Sequence, residues 1–362
     1  MATDDGTDID SDEFVIEPEG DDEWVLPPSR DRNFSPWTQS MIELEACHTE
    51  EPVPTYAASV PGWRSRTRGR LIDLLGSLPS SVPLNAELTD RVENGEFISE
   101  RLVFDSESTM SVPAYLLTPT ARRRPGPAVL AIHGHGAGKT EITDLDARVG
   151  AARPDAFARS LAEAGYVVLA PDLRGFGERA DTVPEGKDGC DANLVAAVAA
   201  GRHPLTGNLH DLVRCLDVLE EHPLVDPARF GVVGFSLGAT IALFLAAYDT
   251  RIRAAVVSGG FSSWHAAHQV PFNLCGSQVV FGMIRALEHV DLGSLVAPRA
   301  LLVESGITDP VVSVDAARMS VEQLESVYRA MRAPKEALHH HVFDGGHEWD
   351  GSATLEFLEQ WL

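Results

Sequence analysis

Apolar and polar positions along the chain fall into two regimes. In FISERLVF (97–104) and SVPAYLLTP (111–119) they alternate, which predicts antiparallel strands with one face covered. Further on, the apolar positions merge into short continuous runs. These are PAVLAIHG (127–134), YVVLAPD (166–172), FGVVGFS (230–236), IRAAVVSGG (252–260), RALLVESG (299–306) and LHHHVFD (338–344). Helix-like stretches lie between several of them, at 154–164, 208–221, 237–248, 315–331 and 352–361. Strands buried on both faces and alternating with helices predict an α/β fold: a mainly parallel sheet with helices on both faces.

The same pattern divides the chain. Residues 1–30 have little apolar periodicity, are acidic, and end near Pro27-Pro28, so a disordered tail is expected. Residues 31–95 read as a helical N-terminal extension in two pieces, SPWTQSMIELEACH and GWRSRTRGRLIDLLGSL. The segment is too short for its own core and is expected to pack on the domain after it. Residues 96–362 form that expected catalytic domain. Two connections in it, 173–207 and 261–292, are longer than α/β loops usually are. Both leave the C-terminal ends of strands, where open α/β sheets build their sites, so both are candidate pocket walls or lids.

Charge narrows the partners. The chain of 362 residues carries a net charge of −25, which disfavours nucleic acid and anionic membrane surfaces. Residues 1–29 hold eleven Asp or Glu and no Lys or Arg. The four cysteines (Cys47, Cys190, Cys215, Cys275) show no CxxC spacing and read as reduced thiols. With no apolar leader and no run long enough to span a bilayer, a cytoplasmic protein is expected. Its partner is then a small-molecule substrate; a homodimer is left open.

The candidate chemistry starts at Gly234-Phe235-Ser236-Leu237-Gly238, between a strand and a helix. A nucleophile elbow needs that context, because the glycines let strand and helix approach while the turn raises the serine hydroxyl. An ordinary strand-to-helix turn is the plain alternative. A serine hydroxyl needs a base, and in this arrangement an acid and a histidine follow it in that order after later strands. Asp309 in ESGITDP and His347 in GGHEWDG meet the requirement. Glu304 lies inside a strand and Asp315 begins a helix, which makes them poorer acids. The oxyanion donors would be backbone N–H groups of His135, in HGHGAGK, and of Leu237. Phosphate cradling is the rival use of that glycine-rich loop, but neither GxxxxGK[ST] nor GxGxxG spacing occurs. Trp264, His265 and His268 in the 261–292 connection are candidate substrate contacts. His339, His340 and His341 lack a Cys or carboxylate at ligand spacing and read as packed or surface residues rather than a metal site.

Several of these stretches together resemble a known group of proteins: VPAYLLTP, HGHGAGK, APDLRGFGER, VDPARFGVVGFSLG, CGSQ, ESGITDP and GGHEWDG. Over roughly residues 65–362 the chain is similar to the dienelactone-hydrolase-like and acetyl-xylan-esterase-like branch of the α/β-hydrolase superfamily. The resemblance implies a serine hydrolase of carboxylic esters that needs no metal or organic cofactor. By position it implies Ser236 as nucleophile, Asp309 as orienting acid and His347 as base. One departure bears on substrate: dienelactone hydrolases proper carry a cysteine where this chain has Ser236. Arg174, Glu178, Cys190 and Cys275 fall in family-like stretches with structural or catalytic roles both open. C–C bond, lactone or amide hydrolysis, acyl transfer, and a non-catalytic ligand-binding role remain alternatives.

Overall fold

A computed structural model describes residues 36–47, 49, 51–54, 56–145, 155–181, 189–269 and 274–362. The expected disordered tail, residues 1–30, lies outside them. The chain divides into two units, Met1–Ser40 and Met41–Leu362, and the sheet and the site belong to the second.

In chain order the elements are helices α1 (Pro36–Glu45) and α2 (Val60–Leu75), then strands β1 (Glu87–Glu93), β2 (Phe97–Glu107), β3 (Met110–Pro119) and β4 (Gly126–Ile132). Helices α3 (Lys139–Thr143) and α4 (Phe157–Glu163) lead to β5 (Val167–Pro171). Helices α5 (Gly189–Ala199) and α6 (Pro204–Glu221) lead to β6 (Val225–Phe235), α7 (Leu237–Tyr248) and β7 (Ile252–Ser258). Among the described residues the next connection holds helices α8 (Trp264–Gln269), α9 (Met283–Ala286) and α10 (His289–Val296). The chain closes with β8 (Ala300–Gly306), α11 (Val314–Ala330), β9 (Leu338–Phe343) and α12 (Thr354–Trp361). No helix among the described residues is long and apolar enough to cross a membrane.

The nine strands among the described residues join one sheet in the order β1-β2-β3-β5-β4-β6-β7-β8-β9. The pairs from β1 to β5 are antiparallel, and those from β5 through β4 to β9 are parallel. The continuous apolar runs arise because neighbouring residues of a central strand serve two cores. Ala128, Leu130 and Ile132 of β4 pack into the larger one, and Val129 and Ala131 into the smaller one on the opposite face. Strands β7 and β8 split in the same way, with Ala255, Val257, Leu301 and Val303 on one side and Ala254, Val256, Ala300 and Leu302 on the other.

Helix α2 buries Val60, Trp63, Leu71 and Leu75 in the larger core. Two of its arginines face main-chain oxygens: Arg64 Nε donates to Ser294 O at 2.6 Å, and Arg68 Nη1 to Ala247 O at 3.1 Å near the end of α7. Cations are favourable at a helix C-terminus, where carbonyls lack partners. The sequence places the first strand near residue 97, but the sheet begins ten residues earlier. Strand β1 is exposed along its whole length, so it leaves no apolar trace, and its pairing with β2 holds it in the sheet.

Candidate active site

Strand β6 turns into α7 at Ser236, whose backbone has φ 54° and ψ −119°. A left-handed φ is costly for a residue with a side chain, so the surroundings must hold it. The Ser236 N–H donates to Ser258 O on β7 at 2.9 Å, and Ser236 O accepts from Ala239 and Thr240 N–H. The flanking glycines leave no room for anything larger. A Cβ on Gly234 would sit 2.2 Å from Gly238 O, and one on Gly238 would sit 2.2 Å from Ile132 O. The turn therefore requires both glycines.

Two later loops reach the same point. After β8 and after β9 the chain is stitched together by Ile307 N–H to Phe343 O at 3.0 Å and Thr308 N–H to Gly345 O at 2.9 Å. These bonds bring Asp309 and His347 side by side. His347 Nδ1 lies 2.9 Å from Asp309 Oδ2, and His347 Nε2 lies 2.8 Å from Ser236 Oγ. The other oxygen of Asp309 accepts from Val311 and Val312 N–H at 2.7 and 2.9 Å. Burial alone would raise this carboxyl, but the hydrogen bonds from His347, Val312 and Val311 outweigh it and hold it below its ordinary value. It stays ionised at neutral pH. Its position orders the imidazole: Nδ1 donates to Asp309, which leaves Nε2 as the acceptor for the Ser236 hydroxyl.

Ser236 and His347 border a cavity of about 440 Å³, which His135, Thr240, Trp264, Gln278 and His289 also line. A larger cleft of about 880 Å³ lies among residues 73–80, Arg174, Arg179 and 201–207 and contains none of the three residues. Its arginines are engaged: Arg174 with Asp211 and Glu107, Arg179 with Asp211, and Arg202 with Glu107. We assign the site to the smaller cavity, where the chemistry lies. The two long connections thus line different spaces, 261–292 the Ser236 cavity and 173–207 the larger cleft.

The remaining candidates divide. Leu237 is the first residue of α7, so its N–H has no acceptor within the helix. His135, on the loop after β4, lines the cavity. Trp264 lines it with carbon, since its indole N–H donates to Leu287 O at 2.9 Å. His265 is half-buried and is not among the described residues lining the cavity. The reason is helical spacing. Trp264 and Ala267, three apart, share the cavity-facing side of α8, and the residue after Trp264 turns away from it. The side chain of His268 lies outside the described residues.

Several polar residues near the site have structural partners instead. Glu304 is fully buried and accepts from Thr354 Oγ1 at 3.1 Å. His133 accepts from Leu173 N–H at Nε2, which leaves Nδ1–H for Gly134 O at 2.7 Å. Lys139 is 1% exposed and pairs with Asp172 and Glu178, so the glycine-rich loop offers no spare cation to a phosphate. His340 meets Ser305 Oγ, and His341 meets Asp350 and Ser352.

Sequence reasoning missed His289. This residue opens α10, is 4% exposed, and sits edge-to-face against Trp264 with ring centroids 3.9 Å apart. Burial pushes its pKa down to about 3, so it is neutral. Its one local signal is Glu288 three residues before Asp291, a pair that forms a capping box at the start of α10.

The sheet order and the helices around it are those of the α/β-hydrolase fold. Residues 112–270, less than half of the chain, match the model of the dienelactone hydrolase family. It is 29% identical over 278 residues to YtaP of Bacillus subtilis (strain 168), a protein provisionally named a hydrolase; the match spans 75% of this chain and 89% of YtaP. Solved structures share the fold, among them two named as esterases. One, from Bacteroides fragilis NCTC 9343, is provisionally described as an acetyl xylan esterase; it superposes with a TM-score of 0.73 at 18% identity, over 87% of this chain and 84% of its own. The other is a glucuronoyl esterase from Solibacter usitatus, with a TM-score of 0.64 at 16% identity, over 86% and 96%.

Proposed function

We propose that this chain hydrolyses carboxylic esters of small molecules through a covalent acyl-serine intermediate. The hydrogen-bonded series from Ser236 Oγ through His347 to Asp309, at a strained turn bordering a 440 Å³ cavity, carries the reading. The esterases named among the solved structures of like fold agree with it.

In this scheme His347 Nε2 takes the Ser236 proton as Oγ bonds to the ester carbon. The carbonyl electron pair moves onto oxygen, and backbone N–H groups of Leu237 and His135 stabilise the oxyanion. Collapse of the intermediate breaks the bond to the alkoxy oxygen, which leaves with the proton from His347. Water, deprotonated by the same imidazole, then releases the acid. Asp309 supplies no proton; it fixes the tautomer of His347 and balances the imidazolium. Trp264 offers an apolar wall and His289 Nε2 a single donor, the mixture expected of a pocket that recognises one oxygen on an otherwise apolar group.

Intact-mass analysis after fluorophosphonate treatment tests the nucleophile: one adduct, on Ser236. A product screen of 4-nitrophenyl acetate against a 1,3-diketone tests the bond cleaved. Turnover of the diketone alone would replace ester hydrolysis with C–C hydrolysis on the same residues.

A further inference from the structure

Apart from the proposed reaction, three soft or borderline donors meet behind the wall of the same cavity, which His135 alone of the three lines. His135 Nε2 lies 3.8 Å from Cys190 Sγ, and these two atoms and Cys275 Sγ all lie within 4.8 Å of one another. It is the one group of metal-ligand type found among the described residues. We propose that His135, Cys190 and Cys275 form a binding site for a soft divalent cation, with zinc as the best fit.

The donors come from three separate parts of the chain, and each is held from behind. Cys190 is the second residue of α5 and is buried. The next residue, Asp191, accepts from Gly276 N–H at 3.0 Å, tying the start of α5 to the Cys275 loop. Gly276 is needed for this contact, because a Cβ there would sit 2.4 Å from Cys190 O. On its other side the Cys275 N–H donates to Gln278 Oε1 at 3.2 Å, and Gln278 Nε2 donates to Thr240 Oγ1 on α7 at 2.9 Å. The His135 ring rests edge-on against Phe176, with centroids 5.6 Å apart. Residues 190 and 275 are thus brought together by contacts of their neighbours as well as by the hydrogen bond between their own side chains.

Donor chemistry selects the ion. Two thiolates and an imidazole suit zinc, whereas magnesium and calcium prefer oxygen ligands. Zinc bonds of about 2.3 Å to sulfur and about 2.0 Å to nitrogen put tetrahedral ligands roughly 3.5–3.8 Å apart. The His135–Cys190 separation is already of that size, and the cluster closes with a movement of about 1 Å. Binding would form two Zn–S bonds and one Zn–N bond, and whatever protons the two sulfurs carry would pass to solvent. Three protein ligands leave the fourth position to water or to an oxygen donor. Structural zinc sites, by contrast, are closed by four protein ligands.

The reduced full-length chain should bind one equivalent of Zn²⁺ in equilibrium dialysis with metal analysis. Co²⁺ in its place should show near-ultraviolet thiolate-to-metal charge transfer and the visible bands of a four-coordinate ion. Cys190→Ser or Cys275→Ser should each weaken the charge-transfer band and the double variant should abolish it, and His135→Ala should weaken binding by about tenfold or more. In the unaltered chain Zn²⁺ should protect Cys190 and Cys275, but not Cys47, from alkylation, a readout that needs no variant to fold. Fluorophosphonate labelling of Cys275→Ser reports that the fold is retained. Binding no tighter than in a Cys190→Ser/Cys275→Ser double variant would overturn the proposal. So would a loss of two hydrogens from the Cys190–Cys275 pair in air with zinc present, which would make the pair a disulfide switch.

Discussion

The Ser262 N–H donates to His289 Nδ1 at 2.7 Å, and this one bond fixes which imidazole nitrogen carries the proton. A neutral ring that accepts at Nδ1 must hold its hydrogen on Nε2, and that atom is buried with no hydrogen-bond partner among the described residues. A buried donor without a partner costs free energy comparable to a lost hydrogen bond, which a ligand oxygen in the cavity would recover. His289→Phe should therefore lower kcat/KM for an ester with an acceptor oxygen in its acyl part relative to its deoxy analogue, by about tenfold. The ratio of the two substrates is the measurement, since loss of folded protein cancels in it. An unchanged ratio would mean that Nε2 meets only water.

Ser236→Ala removes the hydroxyl and leaves the strained turn to a residue of similar size. Hydrolysis should fall on the order of 10⁴-fold with the melting temperature nearly unchanged. Steady-state rates on a chromogenic ester decide it. Residual activity within about tenfold of the parent would move the nucleophile elsewhere.

Asp309→Asn tests the tautomer argument. The substituted side chain could keep an oxygen for the Val311 and Val312 N–H groups but would turn its amide N–H toward His347 Nδ1. The imidazole proton would then sit on Nε2, facing Ser236 Oγ, where it cannot accept. A loss of kcat of roughly 10³ to 10⁴ with a small change in KM is the expected signature. A loss confined to KM would contradict it.

The sequence made some of this legible for physical reasons. Strands β4 to β8 are buried on both faces, and a buried run of Val, Leu, Ile and Ala is visible in any frame. Ser236, Asp309 and His347 could be proposed because one turn geometry demands glycines at fixed offsets and the sheet sets the order of the loops. Strand β1 could not be read, since Glu87–Glu93 has no buried face. His289 stands 53 residues after Ser236, and nothing in its local sequence says that α10 folds back onto the cavity. Cys190 and Cys275 meet through bonds made by Asp191, Gly276 and Gln278, so their 85-residue separation carries no motif. His265 lies in the 261–292 connection, but the residues of α8 that line the cavity are Trp264 and Ala267.

The acidic end of α10 gives a pH dependence whose sign can be worked out. Glu288 Oε1 accepts from His289 N–H at 2.7 Å and Trp264 N–H at 2.9 Å, while its own N–H donates to Asp291 Oδ2 at 2.7 Å. Burial pushes Glu288 up to about 7 and Asp291 up to about 6, against the hydrogen bonds that favour their charged forms. A carboxyl whose folded pKa lies above its unfolded value keeps its proton in the folded state after the unfolded chain has lost it. Between the ordinary value of 4.5 and about 7, the folded state therefore binds more protons, and stability falls as pH rises through that window. This is opposite to Asp309, whose lowered pKa favours the folded state above the ordinary carboxylate range and loses that contribution in acid. Glu288→Gln retains the side-chain oxygen for both N–H groups and removes the titration. Its melting temperature should lie closest to, or below, that of the parent near pH 5 and rise relative to it by several degrees toward pH 8. Differential scanning calorimetry across that range reads the difference directly. A gap between variant and parent that stays constant with pH would show that Glu288 is ionised throughout and that its two backbone bonds, rather than burial, set its charge.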